Sequence, residues 1–175
     1  MAGAIRQQLS LLLSAYGYNL YDDKNRMRAD DVLVRGQAAG ALGEAAGRLA
    51  TLRTEYRRRF IPASTREQPY PPADRLARLG EMARLQERVA DLETRIRAMP
   101  APTSDRVWER LRHEETTLAE LLAHDYGLIQ PCYELRDMAQ ALTVETWTGE
   151  ADARLDGIMG RIEEAIRARS TFLRV

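Results

Sequence analysis

Two histidines, one cysteine and several clustered carboxylates are the groups in this 175-residue chain whose types could do chemistry. His113 and His124 fall on one face of a helix, but eleven residues apart, about 16 Å at 1.5 Å per residue. They cannot share a metal ion. Glu120 and His124 are four apart and offer two ligands, yet the paired Glu-x-x-His motifs of di-iron bundles are absent. His124 is expected near a helix C-terminus, where an imidazolium is favoured. Asp22, Asp23, Asn25, Asp30 and Asp31 lack the ligand alternation and central glycine of a calcium loop, so they read as a solvated connector with Asp30 or Asp31 capping the next helix. Cys132 follows Pro131, which opens a helix best at its first position, and a helix N-terminus can lower a thiol pKa. No histidine lies close in sequence to act as its base, and an inert, partly buried thiol is expected. Walker, Rossmann, nucleophile-elbow and zinc-ligand patterns are absent. No catalytic residue, metal or cofactor is assigned.

The elements that would position these groups are helices. From 74 to 99 the apolar residues Met82, Leu85, Val89, Leu92, Ile96 and Met99 step by three and four, the seven-residue repeat of a coiled-coil seam. Asp74 is read as its N-cap and Pro100 as its end. From 104 to 126, Trp108, Leu111, Glu115, Leu118, Leu122 and Asp125 repeat the pattern, with Gly127 as a stop. Pairing Ile96 with Trp108, Leu92 with Leu111, Val89 with Glu115, Leu85 with Leu118 and Met82 with Leu122 keeps the sum of residue numbers nearly constant. An antiparallel αα-hairpin requires that. This register puts Glu115 on the seam, where a buried carboxylate needs a partner; Arg88 or Arg112 is in reach, and Glu115 and Arg88 are the buried polar candidates. It also pairs Arg78 with Asp125.

A third long helix is expected over 31–60, with Leu42, Leu49 and Tyr56 seven apart and Ala45, Leu52 and Phe60 between them. Gly36, Gly40, Gly43 and Gly47 share another of its faces. Four glycines cost a helix roughly 1 kcal/mol each, so close packing against another backbone is expected to offset them. A face that opens to admit a partner is the alternative. Shorter helices are read at 3–16, 131–142 and 151–173, the last with Leu155, Ile158, Ile162, Ile166, Arg169 and Leu173 on one side. Residues 61–73 hold Pro62, Pro69, Pro71 and Pro72, which forbid a helix and turn the chain. Tyr70 within them is a candidate for exposed contact. The reading is all-α: one helical-bundle domain over 1–175 built on the 74–99/104–126 hairpin, with 31–60 as the third long helix.

Formal net charge is zero, which argues against nucleic acid or an anionic membrane as a bulk electrostatic partner. Residues 1–60 carry 10 basic and 6 acidic groups, and residues 104–175 carry 9 and 14. Such ends attract within one bundle or between copies. The bias of 25 arginines to one lysine points to a GC-rich, bacterial coding genome. A single cysteine forbids an internal disulfide and suits the cytoplasm. No apolar run reaches the ~20 residues of a membrane span. Residues 1–16 read as an amphipathic helix rather than a cleaved signal, and their few cations make membrane-surface attachment unpromising.

These features point to a non-enzymatic adaptor, scaffold or assembly protein acting through protein–protein contacts, self-association included. Its contact candidates are the glycine face, Tyr16, Tyr21 and Tyr70. The alternative is a bundle that binds a small ligand, cofactor or metal, with or without catalysis, in a pocket between the glycine face, the Tyr16–Tyr21 segment and Trp108.

Overall fold

The computed structural model describes residues 27–61, 63, 66, 70–99 and 115–172; at 27–31, 115–119 and 122 it describes the backbone alone. Four helices carry these residues: α1 (Met27–Phe60), α2 (Ala73–Arg97), α3 (Glu115–Ala141) and α4 (Gly149–Phe172). No strand occurs among the described residues, and the all-α bundle is confirmed. The contacts between helices give its topology. Arg35 of α1 reaches the Met99 carbonyl beyond α2, Gly43 lies beside Glu93, and the Arg75 guanidinium stands over the Phe60 ring. Numbers rise along α1 as they fall along α2, so the two are antiparallel. In the same way Asp125 pairs with Arg169 and Glu134 with Arg161, making α3 and α4 antiparallel. Gln37 meets Tyr133, and Arg48 meets the Leu142 carbonyl. These numbers rise together, so α1 and α3 run parallel. So do α2 and α4, through Arg78–Asp152 and Arg88–Glu163. Two antiparallel hairpins therefore lie side by side, α1–α2 and α3–α4, with like directions touching.

Every residue read as the seam of 74–99 is buried: Met82, Leu85, Val89, Leu92, Ile96 and Met99. So are Leu42, Ala45, Leu49, Leu52 and Tyr56 of α1 and Leu155, Ile158, Ile162 and Ile166 of α4. The seam's principal neighbour differs from expectation. Among the described residues it packs chiefly against α1 and then α4. The expected register with 104–126 involves Trp108 and Leu111, outside the described residues, and Glu115, Leu118 and Leu122, whose side chains are not described.

Three boundaries also differ. The 31–60 helix begins at Met27, so Asp30 and Asp31 fall inside it. Pro72 occupies the N-cap of α2 without a side-chain hydrogen bond, and Asp74 stands in the first turn. There its carboxylate suits the positive end of the helix dipole. The expected break at Gly127 and Pro131 does not occur, because α3 runs through both. Proline removes the hydrogen bond to the carbonyl four residues back and crowds it. Here that carbonyl belongs to Gly127, which has no Cβ and lies exposed, so water can satisfy it. Pro131 and Cys132 are themselves buried.

Candidate functional site: the outer face of helix α1

Helix α1 has two faces of opposite kind. Its inner face is built of Val34, Ala38, Ala41, Leu42, Ala45, Leu49 and Leu52, all buried. The helical period places Val32, Gly36, Gly40, Gly43, Gly47, Ala50 and Thr54 on the opposite side. A Cβ added at Gly36, Gly40 or Gly47 would meet nothing within 4 Å, and at Gly43 only the Glu93 carboxylate at 3.4 Å. The close helix packing expected at this stripe is therefore absent from three of its four glycines among the described residues. Alanines and leucines, not glycines, make the intimate contacts of α1. Val32 stands 60 % exposed at one end of the stripe.

The other end opens into two hollows that share Thr54. One, about 450 Å³, is lined by Ala50, Thr51, Thr54, Glu55 and Arg58. The second, about 430 Å³, lies between α1 and α2, with Arg53, Thr54 and Arg57 on one wall and Leu76, Leu79, Gly80 and Ala83 on the other. Leu76 is 45 % exposed. The Thr51 and Thr54 hydroxyls donate to the carbonyls of Gly47 and Ala50, both at 3.0 Å. Such back-bonded threonines commit their one donor to the helix, and what they offer a neighbour is largely the methyl group. The result is a lane about 30 Å long along α1, whose own side chains between the ends are small and over which, among the described residues, Glu93 of α2 reaches at Gly43.

The remaining polar machinery holds the fold. The 142–148 connector is gripped from two helices. Arg48 donates to the Leu142 carbonyl at 2.7 Å, Arg59 pairs with Glu145, and Arg78 pairs with Asp152 while donating to the Trp147 carbonyl at 2.7 Å. Trp147 is buried, and its indole N–H donates to Asp152 Oδ1 at 2.7 Å. Burial works against the Arg78 charge, but the bonds to Asp152 and Glu81 outweigh it and raise the guanidinium above its ordinary value. Thr143 and Thr146 bond reciprocally, each hydroxyl to the other's backbone N–H.

Deeper in the core, Arg169 Nε donates to Asp125 Oδ1 at 2.7 Å, and both side chains are fully buried. The expected Arg78–Asp125 pair is thus replaced by two others, Arg78–Asp152 and Arg169–Asp125. Arg88, expected to be buried, is 47 % exposed and bridges to Asp156 and Glu163 of α4. Burial pushes the Cys132 thiol from 9.0 up to about 12, and the residue sits inside α3 rather than at a helix N-terminus. His124 is likewise in the body of α3, its ring 5.0 Å from that of Phe172. No group of three or more histidine, cysteine or carboxylate side chains with metal-binding geometry occurs among the described residues. Tyr70 is 83 % exposed in the connector. Tyr16, Tyr21, Trp108 and His113 lie outside the described residues, and the Glu115 side chain is not described. No described helix is long and apolar enough to cross a membrane.

The Asp125–Arg169 pair carried a sequence signal. Each charge sits on the apolar stripe of its own helix, where a lone charge is costly. The Arg78–Trp147 contact carried none, because 143–150 has no periodicity to place it.

No protein family, curated protein or solved structure matches this chain.

Proposed function

We propose that this protein is a non-enzymatic helical adaptor or assembly factor that accepts a helix of another protein along the outer face of α1. The observation that carries this reading is the lane itself. Glycines at helical spacing with open space over each of three Cβ positions adjoin two hollows at one end. Gly36, Gly40 and Gly47 each weaken α1 by roughly 0.5–1 kcal/mol relative to alanine, and nothing described packs against them in return. A docked helix would use the space, since small residues let two backbones approach closely. We place the protein in a bacterial cytoplasm, on the strength of its arginine bias and its lone cysteine.

Site-specific photocross-linking tests the reading. A photoreactive residue at Thr54 should give an adduct with one other protein in source cells, and the same residue at Glu164, on the outer side of α4, should not. Equal labelling at both positions, or none at Thr54, would contradict it.

A further inference from the structure

We propose that the groove between α1 and α2 takes an acidic amphipathic helix, which lays leucine-like side chains over Leu76, Leu79 and Ala83 and pairs its carboxylates with Arg53 and Arg57. The proposal rests on the reading of α1 as a docking helix and adds the chemistry of the partner.

Charge complementarity argues for this occupant. Arg53 and Arg57 are four residues apart, hence one turn apart on the same side of α1, and both line the groove. Neither has an ion-pair partner among the described residues. Their neighbour Arg59 has Glu145, and Arg78 of α2 has Asp152 and Glu81. Arg75, at the same end, is engaged by Asp74 and the Phe60 ring. Asp74 and Glu81 of α2 are engaged by Arg75 and Arg78, and Glu55 of α1 faces the other hollow. The opposite wall is apolar: Leu76 and Leu79 with Gly80 and Ala83. A Cβ at Gly80 would meet nothing within 4 Å, so the wall has a notch where a partner side chain fits. A cationic rail beside an apolar floor matches a helix with leucines at i, i+3 and i+4 and carboxylates one turn apart along its edge. The site is an open trough continuous with the α1 lane, which suits a helix better than a single acyl chain needing enclosure.

The test uses the full chain and a labelled helical peptide of about 18 residues made of leucine and glutamate, enough for about 27 Å of helix. A leucine/lysine peptide of the same pattern is its counterpart. Fluorescence anisotropy should show the acidic peptide binding, at least about tenfold more tightly than the basic one and more weakly as salt rises. Arg53→Glu/Arg57→Glu should weaken the acidic peptide by at least about tenfold and improve the basic one. Arg53→Gln/Arg57→Gln, with circular dichroism and the unfolding midpoint as checks, guards against a folding defect. Binding of neither peptide, equal binding of both, or binding indifferent to the substitutions would overturn the proposal. So would a second copy in the groove, seen as self-association abolished by the same variants, or oleate or phosphatidylglycerol vesicles that bind through Arg53 and Arg57 where the peptide does not. If cross-linking from Thr54 persists while the peptides fail, the acidic chemistry is wrong and the docking helix stands. If both fail, the docking helix falls as well.

Discussion

Among the described residues Arg169 is the bulkiest side chain that is fully buried, and it is charged. Its partner, Asp125, is equally buried. Removing one member of such a pair leaves an uncompensated charge in the core, at about 3–5 kcal/mol. Replacing both with apolar residues of similar volume is often neutral or stabilising. Urea unfolding should therefore show Asp125→Leu and Arg169→Met each strongly destabilising, and the double variant recovering most or all of the loss. If the double variant is as unstable as the singles, the pair contributes more than its own charge balance. Cys132 makes a second statement at this scale. Its thiol ionises near 9.0 when exposed and at about 12 in the fold. A raised pKa stabilises the fold fully below the unfolded value and loses that contribution as pH rises from about 9 toward 12. The slope is at most roughly 1.4 kcal/mol per pH unit. Stability curves in that window should fall more steeply for the native protein than for Cys132→Ala. A disulfide thiol reagent at neutral pH should label Cys132 only after unfolding.

Helix α1 should respond to alanine in a way that reveals its two faces. Gly36→Ala and Gly47→Ala fill open space on the outer side, so each should stabilise the fold by about 0.5–1 kcal/mol in thermal unfolding. Gly43→Ala meets the Glu93 carboxylate at 3.4 Å, at the edge of ordinary contact, and should gain less. The inner faces were legible in the sequence. The three-and-four spacing over 82–99 and 155–166 marked the residues that are buried, because burial of one helix face is what produces the spacing. Period alone does not say which helix a face meets. The α2 seam could close a constant register with 104–126, yet 35 with 99 and 43 with 93 do so as well across the 61–72 connector, and that is the pairing found. Gly127 and Pro131 misled for a related reason: local breakers were overridden by burial of Pro131 and Cys132 on the core side of α3.

At the scale of the whole molecule, two hairpins share one core with α1 parallel to α3. Tyr133 Oη lies 3.3 Å from Gln37 Oε1 across that interface. In a Cys132→Ala background, a short bismaleimide should join cysteines at 37 and 133 and fail to join cysteines at 37 and 145, which lies at the far end of α3 beside Arg59. Both helices of the first hairpin grip the 142–148 connector through Arg48, Arg59 and Arg78, so the closed end of the α3–α4 hairpin is fixed to the first. The candidate surface was half legible. The glycine stripe was visible as an anomaly, but its openness was not, because glycine spacing looks the same whether the face is packed or bare. The hollows around Thr54 and the Arg53–Arg57 rail depend on how α2 lies along α1, which no local pattern encodes. The most direct measurement is the Thr54 cross-link repeated with tryptophan placed in the lane, as Gly40→Trp and Gly47→Trp. If the lane receives a helix, each tryptophan should abolish the adduct while leaving the unfolding midpoint within a few degrees of the native protein. An undiminished adduct in a folded Gly40→Trp/Gly47→Trp protein would contradict the account.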